Sequence, residues 1–378
     1  MILGENIGSV FNEGKEIKRV YSLGKLVWEK LDYSVIPFTV KAIADTVSIS
    51  FTDGDKNVVG FKYSLNGEDW QNTDEIIINK NDIISIISTD AAYSTISGLS
   101  DIYGNIMSLI YGDNYINQTV WKEGLANYGS SDGFFKNCDI RIAENLILPA
   151  TTLTKSCYRS MFWSCDSLEL PPKLPATTLA NFCYDSMFHG CEKLKVAPKL
   201  PATTLAEHCY SAMFRGCNNL TTAPKLPATT LAVGCYASMF QSCHNITTAP
   251  ELPATTLAKG CYSQMFLYCH NLTTAPELPA TTLAYTCYSS MFFYCDNLTT
   301  APELPATTLA TDCYHQMFRY CYSLVYIKCL ATDFVSSYAS AFTDGIKTNG
   351  TLVCKQVNGG KNPIEDYIPS TWRVEYLN

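Results

Sequence analysis

Cysteine, histidine and glutamate are the side chains here whose type and spacing could do chemistry. Cys157, Cys183, Cys209, Cys235, Cys261, Cys287 and Cys313 stand 26 residues apart, and so do Cys165, Cys191, Cys217, Cys243, Cys269, Cys295 and Cys321. Zinc is held by convergent ligands, usually with two to four residues between paired cysteines. Here seven residues separate each pair, and His208, His244 and His270, beside cysteines, fall on the opposite face of the element expected below. No metal site and no cofactor is expected. A nucleophilic cysteine is one distinctive residue with a histidine partner, whereas the period makes seven equivalents of each. Glu251, Glu277 and Glu303 share one position of the period. Glycoside cleavage needs two carboxyls in unlike environments to split their pKa values, which identical positions do not supply. The acidic row therefore reads as a solvated edge, no catalytic residue is assigned, and the expectation is a non-enzyme.

The cysteines belong to a unit, L-P-A-T-T-L-A-x-x-C-Y-x-x-M-F-x-x-C-x-x-L-T-T-A-P-[KE], present in seven copies. A strict period of this length marks stacked supersecondary units that bury their apolar faces against one another. At roughly 100° per residue, Leu179, Ala180, Cys183, Tyr184, Met187, Phe188 and Cys191 fall on one half of a helical wheel, and the variable positions, all but Gly190, fall on the other. The period thus predicts a helix over Leu179 to Cys191, capped by Thr177-Thr178. Leu220 to Pro224, β-branched and closed by proline, predicts a short strand that pairs in parallel with its copies. Strands sit about 4.8 Å apart and helices about 8 to 10 Å, so the array should curve with its strands concave. On that geometry no two repeat cysteines come within the roughly 7 Å a disulfide tolerates, and buried free thiols follow. The fold class expected is α/β: a curved leucine-rich-repeat-like solenoid of 26-residue repeats, preceded by a small β-sandwich-like domain.

Between identical framework residues, the two positions after Met-Phe vary. They hold Trp163-Ser164, His189-Gly190, Arg215-Gly216, Gln241-Ser242, Leu267-Tyr268, Phe293-Tyr294 and Arg319-Tyr320. Aromatics and arginine are the types enriched in binding hot spots, and they gather toward the C-terminal copies, joined by Tyr285 and Tyr322. The candidate ligand-binding residues are Trp163, Tyr268, Tyr285, Phe293, Tyr294, Arg319 and Tyr320. Relaxed drift, or aromatic packing between repeats, is the competing explanation. The opposite face would carry Thr221, Thr247, Thr273 and Thr299, suited to a repetitive glycan.

Acidic residues outnumber basic ones, 35 to 27, for a net charge of −8. No basic run offers a phosphate-binding patch, which argues against nucleic acid. No apolar run reaches the roughly 18 residues of a spanning helix, so membrane insertion is not expected. Met1 to Lys30 lacks the apolar core of a secretory signal. Residues 36–100 alternate short apolar runs, such as Val47 to Phe51 and Ile76 to Ile78, with turn signals, as in a β-sandwich. Phe61 to Leu65 and Glu68 to Trp70 around Asn66-Gly67 predict a hairpin. Tyr367, Trp372, Val374 and Tyr376 would cover the open end of the last repeat.

The repeat resembles the BspA-like leucine-rich repeats of gut-anaerobe surface proteins and of their phages. C-Y-x-x-M-F-x-x-C, as in Cys261 to Cys269, matches that family's I-G-x-x-A-F-x-x-C, and Leu272 to Ala284 carries the L-T-T-A-P-E-L-P-A-T-T-L-A run. The resemblance covers about Phe135 to Phe342, with an incomplete first copy (Phe135 to Cys138 and Leu146 to Leu153) and a degenerate last one (Tyr338 to Phe342). Gly104 to Leu109 and Tyr111 to Asn114 look like the segment joining a β-domain to such repeats. Gly14 to Tyr21 and Gly24 to Trp28 are similar to hairpin modules of phage virion proteins. The resemblance implies adhesion and recognition, with no catalytic residue to carry over. The division expected is 1–35 as an N-terminal hairpin anchor, 36–102 as the β-sandwich-like domain, 103–147 as linker and N-terminal cap, 148–345 as the solenoid, and 346–378 as the C-terminal cap. The function implied is a virion-associated protein that binds a host cell-surface protein or glycan, with the N-terminal region held by other virion proteins. A bacterial cell-surface adhesin and a glycan-degrading tailspike are the alternatives. Homo-oligomerisation stays open, with no coiled-coil heptad to signal it.

Overall fold

The computed structural model describes residues 31–53, 55, 57–89, 91–120, 133–334 and 341–377, together with the backbone of four short strands between residues 10 and 29. Those strands, β1 (Val10–Asn12), β2 (Lys15–Ile17), β3 (Arg19–Ser22) and β4 (Lys25–Glu29), form two antiparallel hairpins. Of the Tyr338-to-Phe342 copy, only Ala341 and Phe342 lie among the described residues.

The next part holds β5 (Phe38–Ala42), β6 (Thr46–Thr52), β7 (Phe61–Leu65), β8 (Gln71–Thr73), β9 (Glu75–Asn79), β10 (Ile83–Ile87), β11 (Tyr93–Ser97), β12 (Ser100–Asn105) and β13 (Ile140–Ile147). Strands β13-β12-β5-β10-β7-β8 make one sheet and β11-β6-β9 another. Alternation explains the burial: Val47, Ile49 and Phe51 of β6 are buried while Thr46, Ser48 and Ser50 are not, because successive side chains leave opposite faces of a strand. Phe51 and Phe61 meet between the sheets, ring centroids 5.2 Å apart. The Asn66-Gly67 turn, with φ of 53° and 82°, has the left-handed pair that suits a two-residue hairpin. Its second strand is Gln71–Thr73 rather than Glu68 to Trp70.

The repeats overturn the helix expected over Leu179 to Cys191. The described chain is mostly strands and loops, with one four-residue helix at Ser108–Tyr111 and two 3-10 turns. From Ser156 to Cys165 the backbone N–H groups alternate between two destinations. Those of Cys157, Arg159, Met161, Trp163 and Cys165 donate to the carbonyl three residues back, at 2.9–3.4 Å. Those of Ser156, Tyr158, Ser160, Phe162 and Ser164 donate to a carbonyl 25 residues ahead, at 2.8–3.0 Å. The segment is a chain of β-turns, and every backbone donor in it is satisfied. Every fourth residue is left-handed: Ser156, Ser160 and Ser164, then Phe182, Ser186 and Gly190, and so on to Asp312, Gln316 and Tyr320. A positive φ at the third residue of a turn is the type II requirement.

Neighbouring repeats are therefore hydrogen-bonded to each other directly, closer than the roughly 8 to 10 Å of packed helices. The strand expected at Leu220 to Pro224 is not formed; equivalent threonines make only single parallel bridges, such as Thr248 to Thr274. With no helix on one side, the premise for curvature is gone.

The fixed residues come as pairs, Cys-Tyr, Met-Phe and a final Cys, which face inward and alternate with pairs on the other side of the chain, of which Asp185-Ser186 and Ser289-Ser290 are also buried. Tyr158 to Tyr314 form one buried column, centroids 5.7–6.3 Å apart. Phe162 to Phe318 form a second, at 5.6–5.8 Å. Phe135 stacks on Phe162 at 5.3 Å and on Phe38 of β5 at 5.5 Å, so the sheet core runs into the repeat core without a break. Burying one such ring is worth about 1.5–3 kcal/mol, and the column repeats that gain in every unit. At the far end, β14 (Tyr326–Lys328), β15 (Thr351–Lys355) and β16 (Arg373–Leu377) pair in parallel. Trp372 is buried there and its Nε1 donates to the Lys347 carbonyl at 2.8 Å. Tyr367 lies 5.2 Å from Phe334, while Tyr376 is exposed.

Candidate binding surface

The turn chain decides where the variable residues go. After each inward Met-Phe pair, the next two residues leave the core, the second of them left-handed, although Gln241 and Leu267 stay buried. Because the backbone of one repeat is bonded to the next, residues 26 apart form outward columns held at one spacing. In the last three copies one column holds Tyr268, Tyr294 and Tyr320, and the other Leu267, Phe293 and Arg319. Tyr268 stacks on Tyr294 at 5.3 Å and Tyr294 lies 4.7 Å from Tyr320. Phe293 sets its edge against all three, at 5.9, 5.2 and 5.6 Å. The Arg319 guanidinium lies 4.7 Å from the Tyr320 centroid and 5.9 Å from that of Phe293, within cation–π range. Its Nη2 also donates to the Tyr320 hydroxyl at 2.9 Å. Tyr322, 48% exposed, adds a further ring 5.9 Å from Tyr294, and its hydrogen bond with Tyr294 holds its phenol above the usual value.

Five of the seven candidate residues thus form one contiguous surface: Tyr268, Phe293, Tyr294, Arg319 and Tyr320. Trp163 does not join it. It lies several repeats away, stacked on His189 at 4.1 Å with the Lys136 amine 5.8 Å from its ring. Burial, with Arg215 nearby, lowers the His189 imidazole to about 4, so that stack is neutral near pH 7. Tyr285 stands in another column, exposed, with the Lys259 amine 5.2 Å from its ring. One further neighbour, outside the candidate set, is His270, 6.1 Å from Tyr268, whose Nδ1 is 2.7 Å from Asp296 Oδ2. The signal was available, since His270 and Asp296 occupy one repeat position in adjacent copies.

The cysteines are buried free thiols. Burial pushes the thiols of Cys183, Cys261 and Cys269 up to about 12, the opposite of what a nucleophile needs. Among the described residues, no three His, Cys, Asp or Glu side chains group as a metal-binding set, and no helix is long and apolar enough to cross a membrane. What the arrangement offers is flat π faces, phenol hydroxyls and one guanidinium on a hydrogen-bonded base. No family model, no curated protein and no solved structure matches the chain.

Proposed function

We propose that the chain is a non-enzymatic binding protein whose 26-residue repeats form a solenoid. Its ligand surface is the aromatic platform of Tyr268, Phe293, Tyr294, Arg319 and Tyr320. The observation that carries this is the contact of these partly exposed rings across three successive repeats, on a backbone bonded from unit to unit. Tyrosine and arginine on a rigid base are the usual anchors of recognition, because little side-chain freedom is lost on binding. The resemblance to BspA-like repeats supports a host cell-surface protein or glycan as the ligand. The two N-terminal hairpins, in the segments similar to virion modules, support a virion-associated protein attached through that end.

The test replaces Phe293→Gln, Tyr294→Ser and Tyr320→Ser together, copying the Gln241-Ser242 pair that another repeat already carries. Binding of purified protein to host cells should fall at least tenfold, with thermal unfolding unchanged. Equal binding by the triple variant assigns these positions to drift. For the virion assignment, the full-length chain should be found in purified particles; its secretion by a bacterium, with none in particles, points to the adhesin instead.

A further inference from the structure

One column of charge remains unexplained by the binding platform. The position after each Ala-Pro or Pro-Pro holds Lys173, Lys199, Lys225, Glu251, Glu277 and Glu303, all exposed. Three lysines in adjacent repeats are followed by three glutamates. Adjacent repeats are hydrogen-bonded to each other, so equivalent residues are near neighbours, and like charges so placed repel. Alternating signs would have made each residue a partner for the next. Segregation puts like beside like at four of the five steps. Only Lys225 and Glu251 are of opposite sign, and the far end is closed by Lys328, whose Nζ sits 2.9 Å from Glu303 Oε2. The neighbouring column does use local pairing, with Lys195 Nζ 2.5 Å from Glu169 Oε2.

The surface beside the charges is uniform. Burial alternates along each segment, so that Lys225 is exposed, Leu226 buried, Pro227 exposed, Ala228 buried and Thr229 exposed. The charge column therefore shares one face with columns of proline and threonine. Those two are the same in every one of these repeats, and their short side chains leave the face without relief. Only the charge changes along it.

We propose that this face is the contact between two copies of the chain, packed antiparallel about a two-fold axis passing between Lys225 and Glu251. A two-fold axis lying in the face and perpendicular to the column turns it end for end. Lys225 then faces Glu251 of the second copy, Lys199 faces Glu277, and Lys173 faces Glu303. Each pair occurs twice, as an isologous contact requires. Packed parallel, the same column would set like charge against like. The sign segregation thus selects one orientation, and the repulsion within each column is relieved by the opposing one. This inference is independent of the aromatic platform, which lies on the turn side of the repeat.

Sedimentation and light scattering of the full chain test it. The wild type should show a species of twice 41.9 kDa. Its dissociation constant should rise at least about tenfold between about 0.1 M and about 1 M salt, as the screening length shrinks from about 10 to about 3 Å. One variant, Lys173→Glu with Lys199→Glu and Lys225→Glu, has an all-acidic column. A second, Glu251→Lys with Glu277→Lys, has a basic one, with Glu303 kept because Lys328 engages it. Each should be monomeric alone, and the two should associate when mixed, which also shows that both are folded. A wild type that is monomeric at low salt, a dimer indifferent to salt, or variants that dimerise alone as well as the wild type does would each overturn the proposal.

Discussion

The Sγ of Cys217 donates to the carbonyl oxygen of Phe188, in the preceding repeat, at 3.1 Å. The same bond recurs from Cys165 to Cys321, at 2.9–3.2 Å. Each sulfur is thus committed to main chain rather than to the next thiol in its column. The spacing expected from helices would have kept these cysteines too far apart to bridge; adjacent repeats, whose phenylalanine rings stack at 5.6–5.8 Å, are within the roughly 7 Å a disulfide tolerates. Their freedom rests on direction and burial, not on distance. A thiol reagent should therefore find no fast-reacting site in the native protein and all seventeen cysteines in denaturant. Rapid reaction of several thiols without denaturant would contradict the burial. Cys217→Ser keeps a donor for Phe188 and should cost less than Cys217→Val, which removes the donor, adds a methyl and should lose about 1–3 kcal/mol.

Buried thiols make stability depend on alkaline pH. Burial pushes Cys138 up to about 11, and Cys313 and Cys329 up to about 12, from an ordinary value of 9.0. Once unfolded, these groups lose their protons near that ordinary value, while the folded chain keeps them. The unfolded state then binds fewer protons, so stability falls as pH rises. The contribution is complete below pH 9 and declines from there through about 11 to 12. Urea midpoints should be level from about pH 7 to about pH 8 and drop progressively above about pH 9. A midpoint unchanged at about pH 10 would show the thiols already ionising in the fold.

Ala212 separates the turn chain from the helix expected of the sequence. Its φ is 50°, a left-handed conformation that costs a residue with a Cβ about 1–2 kcal/mol. Ala212→Gly should relieve that strain, offset by about 0.5–1 kcal/mol of unfolded-chain entropy, and leave stability level or slightly raised. In a helix the same change would lose about 1 kcal/mol. Thermal unfolding of the variant discriminates the two, and a clear loss would favour the helix.

The repeat, its period and its inward set were legible because they are written as identities. Cys183, Tyr184, Met187, Phe188 and Cys191 have offsets of 0, 1, 4, 5 and 8. Over nine residues that set fits a period of four as well as one of 3.6, so the wheel separated inside from outside correctly with the wrong backbone. The contrary signal lay in the variable half. Gly190, Gly216, Gly234 and Gly260 occupy interior positions where a helix is weakened, and each takes a positive φ. At Gly234 a Cβ would also lie 2.2 Å from the His208 ring. The aromatic platform was legible in part. Adjacent copies placed Tyr268, Phe293, Tyr294, Arg319 and Tyr320 together, but Tyr285 and Trp163 were grouped with them only by residue type.

The tyrosine column carries a built-in cost that a single atom can remove. The hydroxyls of Tyr184, Tyr210 and Tyr288 are buried with no hydrogen-bond partner, and leaving such a group unpaired costs about 1–3 kcal/mol. The ring itself contributes burial and stacking, centroids 5.8 and 5.9 Å from Tyr184 and Tyr236 for Tyr210. Tyr210→Phe keeps both and deletes only the oxygen, so the melting temperature should hold or rise. Tyr210→Ala loses the ring and leaves a cavity between two flanking rings, and should destabilise by about 3–5 kcal/mol. The pair of variants separates the two contributions. A loss of more than about 1 kcal/mol in Tyr210→Phe would mean that the hydroxyl makes a net favourable bond after all.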